Sequence, residues 1–191
     1  MPTAATLTTH ERVVAAAAEL ALEVGWARVT MGKLADRVGV SRQTVYNEVG
    51  SKPQLAEEMV LAELAKFLAV VDAAFDDHPE DLVEAIRAAA RGVLELAATN
   101  ALLQAVVSAS YGAETELLPL LTTRNDALVL AATEAVRARV TTYPVALDDR
   151  HLGAAIDMVV RLVLSHVVHP IGAPGVTADD IAWISSRTLH A

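Results

Sequence analysis

Apolar residues recur at three- and four-residue intervals along nearly the whole chain, and no stretch alternates with a period of two. That spacing belongs to helices that bury one face. Val13, Val14, Ala17, Leu20, Ala21 and Val24 share one such face; Thr8-x-x-Glu11 opens it in capping-box form and Gly25 closes it. Thr30 is placed to cap a short helix carrying Leu34, Ala35 and Val38, which stops at Gly39. Ser41 is placed to cap a third, from Arg42 to about Glu48. Ser51-x-x-Gln54 is a second capping box; Pro53 is tolerated in the first turn of the long helix that runs from there to about Phe75.

Five further periodic segments come after the polar break "DDHPED". Residues 79–98 carry Leu82, Val83, Ile86, Ala90, Val93 and Leu94, and residues 100–111 are mostly apolar. Residues 116–142 predict one long helix or two, because Pro119 sits near the start. Residues 148–168 and 177–189 each present an apolar row, and "HPIGAPGVT" between them is the clearest loop. The pattern predicts an all-α protein of about nine helices. An N-terminal head over residues 1–50 is followed by a body over 51–191, with helix 51–75 as the connector.

One stretch breaks the apolar habit. Residues 39–55, "GVSRQTVYNEVGSKPQL", are polar and punctuated by turns. Two short helices joined through "VGV" have the proportions of a helix-turn-helix, with Val38, Val40 and Val45 holding them together. Arg42, Gln43, Thr44, Tyr46 and Asn47 then point outward. Their side chains suit base edges and phosphates: Arg for guanine, Gln or Asn for adenine, Thr for a thymine methyl. A major groove admits one such helix with its N-terminal residues foremost. Lys52, in the first turn of the next helix, lies beside free backbone N–H groups that suit a phosphate. Taken alone, any short helical pair on a surface presents a similar pattern.

Charge changes the picture only when its distribution is read. The 191 residues carry a net charge of −9, which argues against a nucleic-acid partner. Yet Arg28, Lys33, Arg37, Arg42 and Lys52 face only Asp36 and Glu48 across residues 28–52, whereas residues 61–191 hold nine basic and seventeen acidic residues. A basic head on an acidic body fits a protein that meets phosphate with one end. Hydrophobic residues make up 53% and mean hydropathy is +0.38, a surplus that points to helices buried on more than one side, a dimer surface or an apolar cavity. The chain lacks cysteine, which excludes disulfides and thiolate metal sites. The longest uncharged run, Leu96 to Ala113, is broken by Asn100, Gln104, Ser108 and Ser110, so no membrane span is expected. "MPTAATLTTH" has neither a positive start nor an apolar core, and the expected location is the cytoplasm.

Residues 11–60 resemble the DNA-binding domain of TetR-family transcriptional regulators. The matching features are "EVGW", "VTMGKLADRVGVS", "TVY" and "SKPQL" at their joint spacing, over about a quarter of the chain. The resemblance implies an all-α homodimer with a three-helix DNA head and a C-terminal domain for ligand binding and dimerisation. It implies a repressor released from a palindromic double-stranded operator by a small molecule. Carried over by position, it puts Thr30, Ser41, Arg42, Gln43, Thr44, Tyr46, Asn47 and Lys52 at the DNA, with Thr30, Tyr46 and Lys52 on phosphates. Two positions depart from the family pattern: Glu48 stands where His or Tyr is usual, and Val49 where Phe is usual.

The family places its pocket in the middle helices and its dimer interface on the last two. Here Leu94, Leu103, Val107, Leu128 and Val163 are the apolar pocket candidates, with Asn100, Gln104, Ser108, Tyr111 and His166 as sparse polar groups. Leu152, Ile156, Val160, Ile181 and Ile184 are the dimer candidates, although the same rows also suit the subunit's own core. Few cations lie in these segments, which favours a neutral, largely apolar effector. His166 and His169 are spaced i, i+3 without a third ligand, so no metal and no cofactor are expected. Nothing resembles a nucleophile elbow, and no enzyme is expected. The alternative reading is a small-molecule carrier or sensor of the same fold that acts through protein partners.

Overall fold

The computed structural model describes residues 7–108, 117–122 and 125–189. Regular structure among them is helical throughout: α1 (Thr9–Val24), a 3-10 turn (Trp26–Arg28), α2 (Met31–Val38), α3 (Arg42–Val49), α4 (Lys52–Asp77), α5 (Leu82–Thr99), α6 (Ala101–Ser108), α7 (Leu118–Leu121), α8 (Asp126–Val140), α9 (Asp149–Val168) and α10 (Pro174–Leu189). The segment expected as one helix or two over 116–142 is two, the four-residue α7 and then α8. The predicted loop after α9 is shorter than expected, because Pro174 begins α10 instead of interrupting it. Proline lacks an N–H that a first-turn residue does not need.

The caps account for the boundaries. Thr8 Oγ1 accepts from the Glu11 N–H, and the Glu11 carboxylate accepts from the Thr8 N–H at 2.8 Å, completing the capping box. Those bonds hold the Glu11 carboxyl below its ordinary range. Thr30 and Ser41 accept from the N–H groups of Lys33 and Thr44. Ser51 and Gln54 form the second box, with Gln54 Oε1 accepting from the Ser51 N–H at 2.8 Å. Gly39 ends α2 in the left-handed region, φ 76°, where its N–H reaches the Ala35 carbonyl.

The described residues divide into two compact units, Met1–Glu63 with Ala101–Thr123, and Leu64–Asn100 with Arg124–Ala191. This partition differs from a boundary at residue 50. In the first unit, the core of α1–α3 continues into Leu55, Ala56 and Met59 of α4 and takes in Leu102, Leu117 and Leu120. Leu34, Val45 and Leu55 are fully buried, each contributing about 1.5–3 kcal/mol by leaving water. Trp26 joins the same core at 2% exposure. Arg37 of α2 grips Glu23 of α1 through two N–H bonds of 2.9 and 2.6 Å, with Glu19 nearby.

In the second unit, α10 packs along α5 through small residues: Ala90 meets Ala178 and Ile181, with Val159, Leu162 and Val163 of α9 against them. A Cβ at Gly92 would stand 2.6 Å from Val70 Cγ1, so α5 comes close to α4 where it has no side chain. The end of α4 is held by Tyr143, whose hydroxyl donates to the His78 carbonyl at 2.8 Å and lies 3.2 Å from that of Phe75. Arg139 stacks on Phe75 and pairs with Asp76.

These local features set two measurable outcomes. Gly39→Ala is expected to lower unfolding free energy by about 1–2 kcal/mol, measured in urea. Nothing lies within 4 Å of the added Cβ, so the cost is conformational alone. Glu23 is held below the ordinary carboxylate range by its hydrogen bonds from Arg37. Its contribution is therefore present above that range and lost as pH falls through the folded-state value. The melting temperature of Glu23→Gln should sit below that of the unaltered protein at neutral pH, and the gap should close in acid.

Candidate nucleic-acid interface

Eight-residue α3 comes after α2 through Gly39 and Val40, whose N–H groups both bond the Ala35 carbonyl. That double bond makes the turn tight enough to set one helix across the other. Val45 and Val49 turn into the core at 0% and 2% exposure. Arg42, Gln43, Tyr46 and Asn47 are exposed on the opposite side, and Thr44 is half-buried.

The outward side chains are paired along the helix. Arg42 lies 5.6 Å over the Tyr46 ring and its Nη2 donates toward the Tyr46 hydroxyl at 3.4 Å. Gln43 Nε2 donates to Asn47 Oδ1 at 3.0 Å. Both are i, i+4 pairs, which hold long side chains in one direction before any partner arrives. Ser41 Oγ and Thr44 Oγ1 stand 2.8 Å apart at the N-terminus, beside the positive end of the helix dipole. Thr30 is exposed at the start of α2. This surface can offer donors and acceptors to base edges from α3 and hydroxyls to phosphates from both helix starts.

Lys52 is placed differently from a free phosphate-binding lysine. Its ammonium donates to the carbonyls of Trp26 and Ala27 at 2.9 and 3.3 Å and lies 4.9 Å from the Trp26 ring centre. Two of its three N–H bonds therefore fasten α4 to the 3-10 turn, and one is left for an outside acceptor. Lys33 likewise donates to the Arg28 carbonyl, and Arg37 is committed to Glu23 and Glu19. Arg28 is exposed, and none of the described residues pairs with its guanidinium. In the sequence Arg28 counts only as charge; the signal of a role is its position two residues before the cap of α2.

The expected pocket residues fall in both compact units. Leu94, Asn100, Leu128, Val163 and His166 belong to one; Leu103, Gln104 and Val107 belong to the other. Leu94, Leu103 and Leu128 are buried, and Gln104 is exposed. His166 Nδ1 lies 2.9 Å from the Leu162 carbonyl one turn back. The side chain of Ser108, and Tyr111 as a whole, lie outside the described residues. Of the expected dimer residues, Leu152, Ile156, Val160 and Ile181 are buried in the single chain, at 7% exposure or less. That row packs inside because α9 lies against α5 and α8, and α10 lies against α5. Ile184 is exposed, and with Met158, Val176 and Trp183 it makes up the apolar surface that remains on α9 and α10.

Comparison with known proteins agrees with this geometry. Residues 13–59 match the family described as bacterial regulatory proteins, tetR family, and residues 81–187 match the bacterial tetracyclin repressor C-terminal domain. The chain is 30% identical over 174 residues to the HTH-type transcriptional regulator AlkX of Mycobacterium tuberculosis (strain ATCC 25618 / H37Rv), covering 91% of this chain and 81% of that protein. It is similar to the crystal structure of the TetR family repressor AlkX from Dietzia sp. strain DQ12-45-1b, implicated in biodegradation of n-alkanes. There the TM-score is 0.78 and identity 25%, over 96% of both chains. The R. erythropolis repressor QsdR shares the fold at a TM-score of 0.62 and 16% identity, over 96% of this chain and 95% of that one. The chain belongs to the TetR family of bacterial transcriptional regulators, and α2 with α3 forms its DNA-binding helix-turn-helix.

Proposed function

We propose that the protein is a homodimeric repressor that binds a palindromic operator in the cytoplasm and leaves it when a small, largely apolar molecule binds the C-terminal domain. The observation that carries the DNA half is α3: a capped helix with a packed inner face and four exposed, mutually oriented polar side chains. In this reading Arg42, Gln43, Tyr46 and Asn47 meet the groove, and Thr30, Ser41, Thr44, Arg28 and the remaining N–H of Lys52 meet phosphates.

The dimer half is supported by α9 and α10. Only 22% of the most apolar 18-residue stretch of α9 is buried within the chain. Met158 and Trp183, at 69% and 62% exposure, leave an apolar surface of the kind a second subunit covers. For the effector, the similarity to the Dietzia repressor implicated in n-alkane biodegradation favours an aliphatic chain or a product of its oxidation. Release would run through α4, which gives Lys52–Glu63 to one unit and Leu64–Asp77 to the other. A ligand acts this way only if it binds the two states unequally, and DNA then lowers ligand affinity by the same factor.

The test begins with a duplex selected from a random pool by the unaltered protein. Enriched half-sites should be inverted and spaced by one helical turn or a multiple, about 34–36 Å. Arg42→Ala should cost about 1–3 kcal/mol on that duplex and relax preference at one position in each half-site. Enrichment of non-palindromic sequences would overturn the dimeric reading. Independently, light scattering on Trp183→Glu should show a subunit that stays monomeric at concentrations where the unaltered protein is dimeric.

A further inference from the structure

Recognition helix α3 ends poorly by its own resources. Its last turn has no basic residue, and Glu48 places negative charge at the negative end of the helix dipole. The Gly50 N–H bonds the Tyr46 carbonyl, which leaves the later carbonyls of α3 to other donors. One of them is reached from outside the helix: His10, the second residue of α1, lies with Nδ1 3.0 Å from the Glu48 carbonyl oxygen. A carbonyl only accepts, so Nδ1 carries the hydrogen.

The other ring nitrogen faces α4. Nε2 of His10 stands 3.5 Å from Oε2 of Glu58, and that carboxylate oxygen is buried with no hydrogen bond from the described residues. A buried carboxylate oxygen without a donor is costly unless a charge compensates it. The nearby charges on α1 are engaged elsewhere, Glu11 with Thr8 and Arg12 with the Val38 carbonyl; Glu57 beside Glu58 has an interaction of its own. With Nδ1 donating to the Glu48 carbonyl, Nε2 is the ring atom left to face Glu58.

We propose that His10 is a positioning residue for DNA binding: it is a strut that ties the C-terminal end of recognition helix α3 to Glu58 of α4 without touching DNA. The proposal rests on the DNA-binding reading of α3. α1 treats the two helices of the motif alike, since Arg12 donates to the last carbonyl of α2 at 2.5 Å while His10 serves α3. The two struts differ at their far ends. Arg12 stops on a backbone carbonyl, whereas His10 passes the connection on to the helix that leads out of the head. The tilt of α3 in a groove is thereby set relative to α4.

Binding to the selected duplex, its salt dependence and the thermal midpoint are measured for His10→Ala, His10→Asn, Glu58→Gln and the His10→Ala/Glu58→Gln double variant. His10→Ala is expected to bind about tenfold more weakly, with an unchanged salt slope because no phosphate contact is lost. His10→Asn, whose amide N–H sits near the Nδ1 position, should recover part of the loss by donating to the Glu48 carbonyl. The double variant should bind no more weakly than either single one, as coupled neighbours do. Unchanged binding in His10→Ala overturns the proposal. So does a salt slope smaller by about one, which would make His10 a phosphate contact. A loss that parallels the thermal midpoint across all variants, with no recovery by Asn, also overturns it by reducing His10 to a fold residue. A pool from which nothing is enriched overturns the DNA-binding reading itself.

Discussion

Helices of eight residues do not hold themselves together in water. Nucleation fixes several backbone dihedrals for the first hydrogen bond, and isolated helices below about 12–15 residues are marginal. Both helices of the reading motif are this short. Everything around them answers that constraint. Thr30 and Ser41 satisfy their starts, Gly39 turns one into the other, and Arg12 and His10 reach over from α1 to carbonyls at their ends. Beneath them, Trp26, Leu55 and Met59 complete a core that two such helices are too small to enclose. The head is therefore better described as a motif suspended from α1 and α4 than as a free-standing pair.

The same constraint explains which features are legible in the sequence. Capping chemistry is local, so Thr8, Thr30, Ser41 and Ser51 announce their helices within a residue of where they begin. The outward set on α3 comes from the inward set, because Val45 and Val49 fix the rotation of the helix. Contacts between residues far apart in the chain leave no such mark. Lys52 looks like a phosphate ligand from its neighbouring N–H groups; its engagement with Trp26, 26 residues earlier, depends on packing. The same holds for His10 and Glu58, which are distant in the chain and adjacent in the head. Proline and glycine cluster around Pro174 and suggest a loop there, although a first-turn proline costs a helix nothing.

The C-terminal rows show the limit of periodicity. Leu152, Ile156 and Val160 recur every four residues, as an interface or a core row does, and they are core. Period alone states that a face is covered and leaves open by what. Of the apolar residues left outside, Val176, Trp183 and Ile184 share a face of α10, but Asp179 and Asp180 stand between them on it, so no continuous apolar row marks that face. Pocket residues suffer from the same ambiguity, since a buried leucine beside a ligand and one beside another leucine have the same sequence neighbourhood.

The use of cations inside the head has a consequence for life on a chromosome. Arg37 is neutralised by Glu23, Lys52 and Lys33 spend donors on backbone carbonyls, and the chain as a whole is acidic. A carbonyl takes a donor without cancelling the charge, so Lys33 and Lys52 still attract phosphate although their side chains are already fixed. In the proposed complex these two charges are held in place before contact, and little side-chain ordering opposes the release of counterions around them.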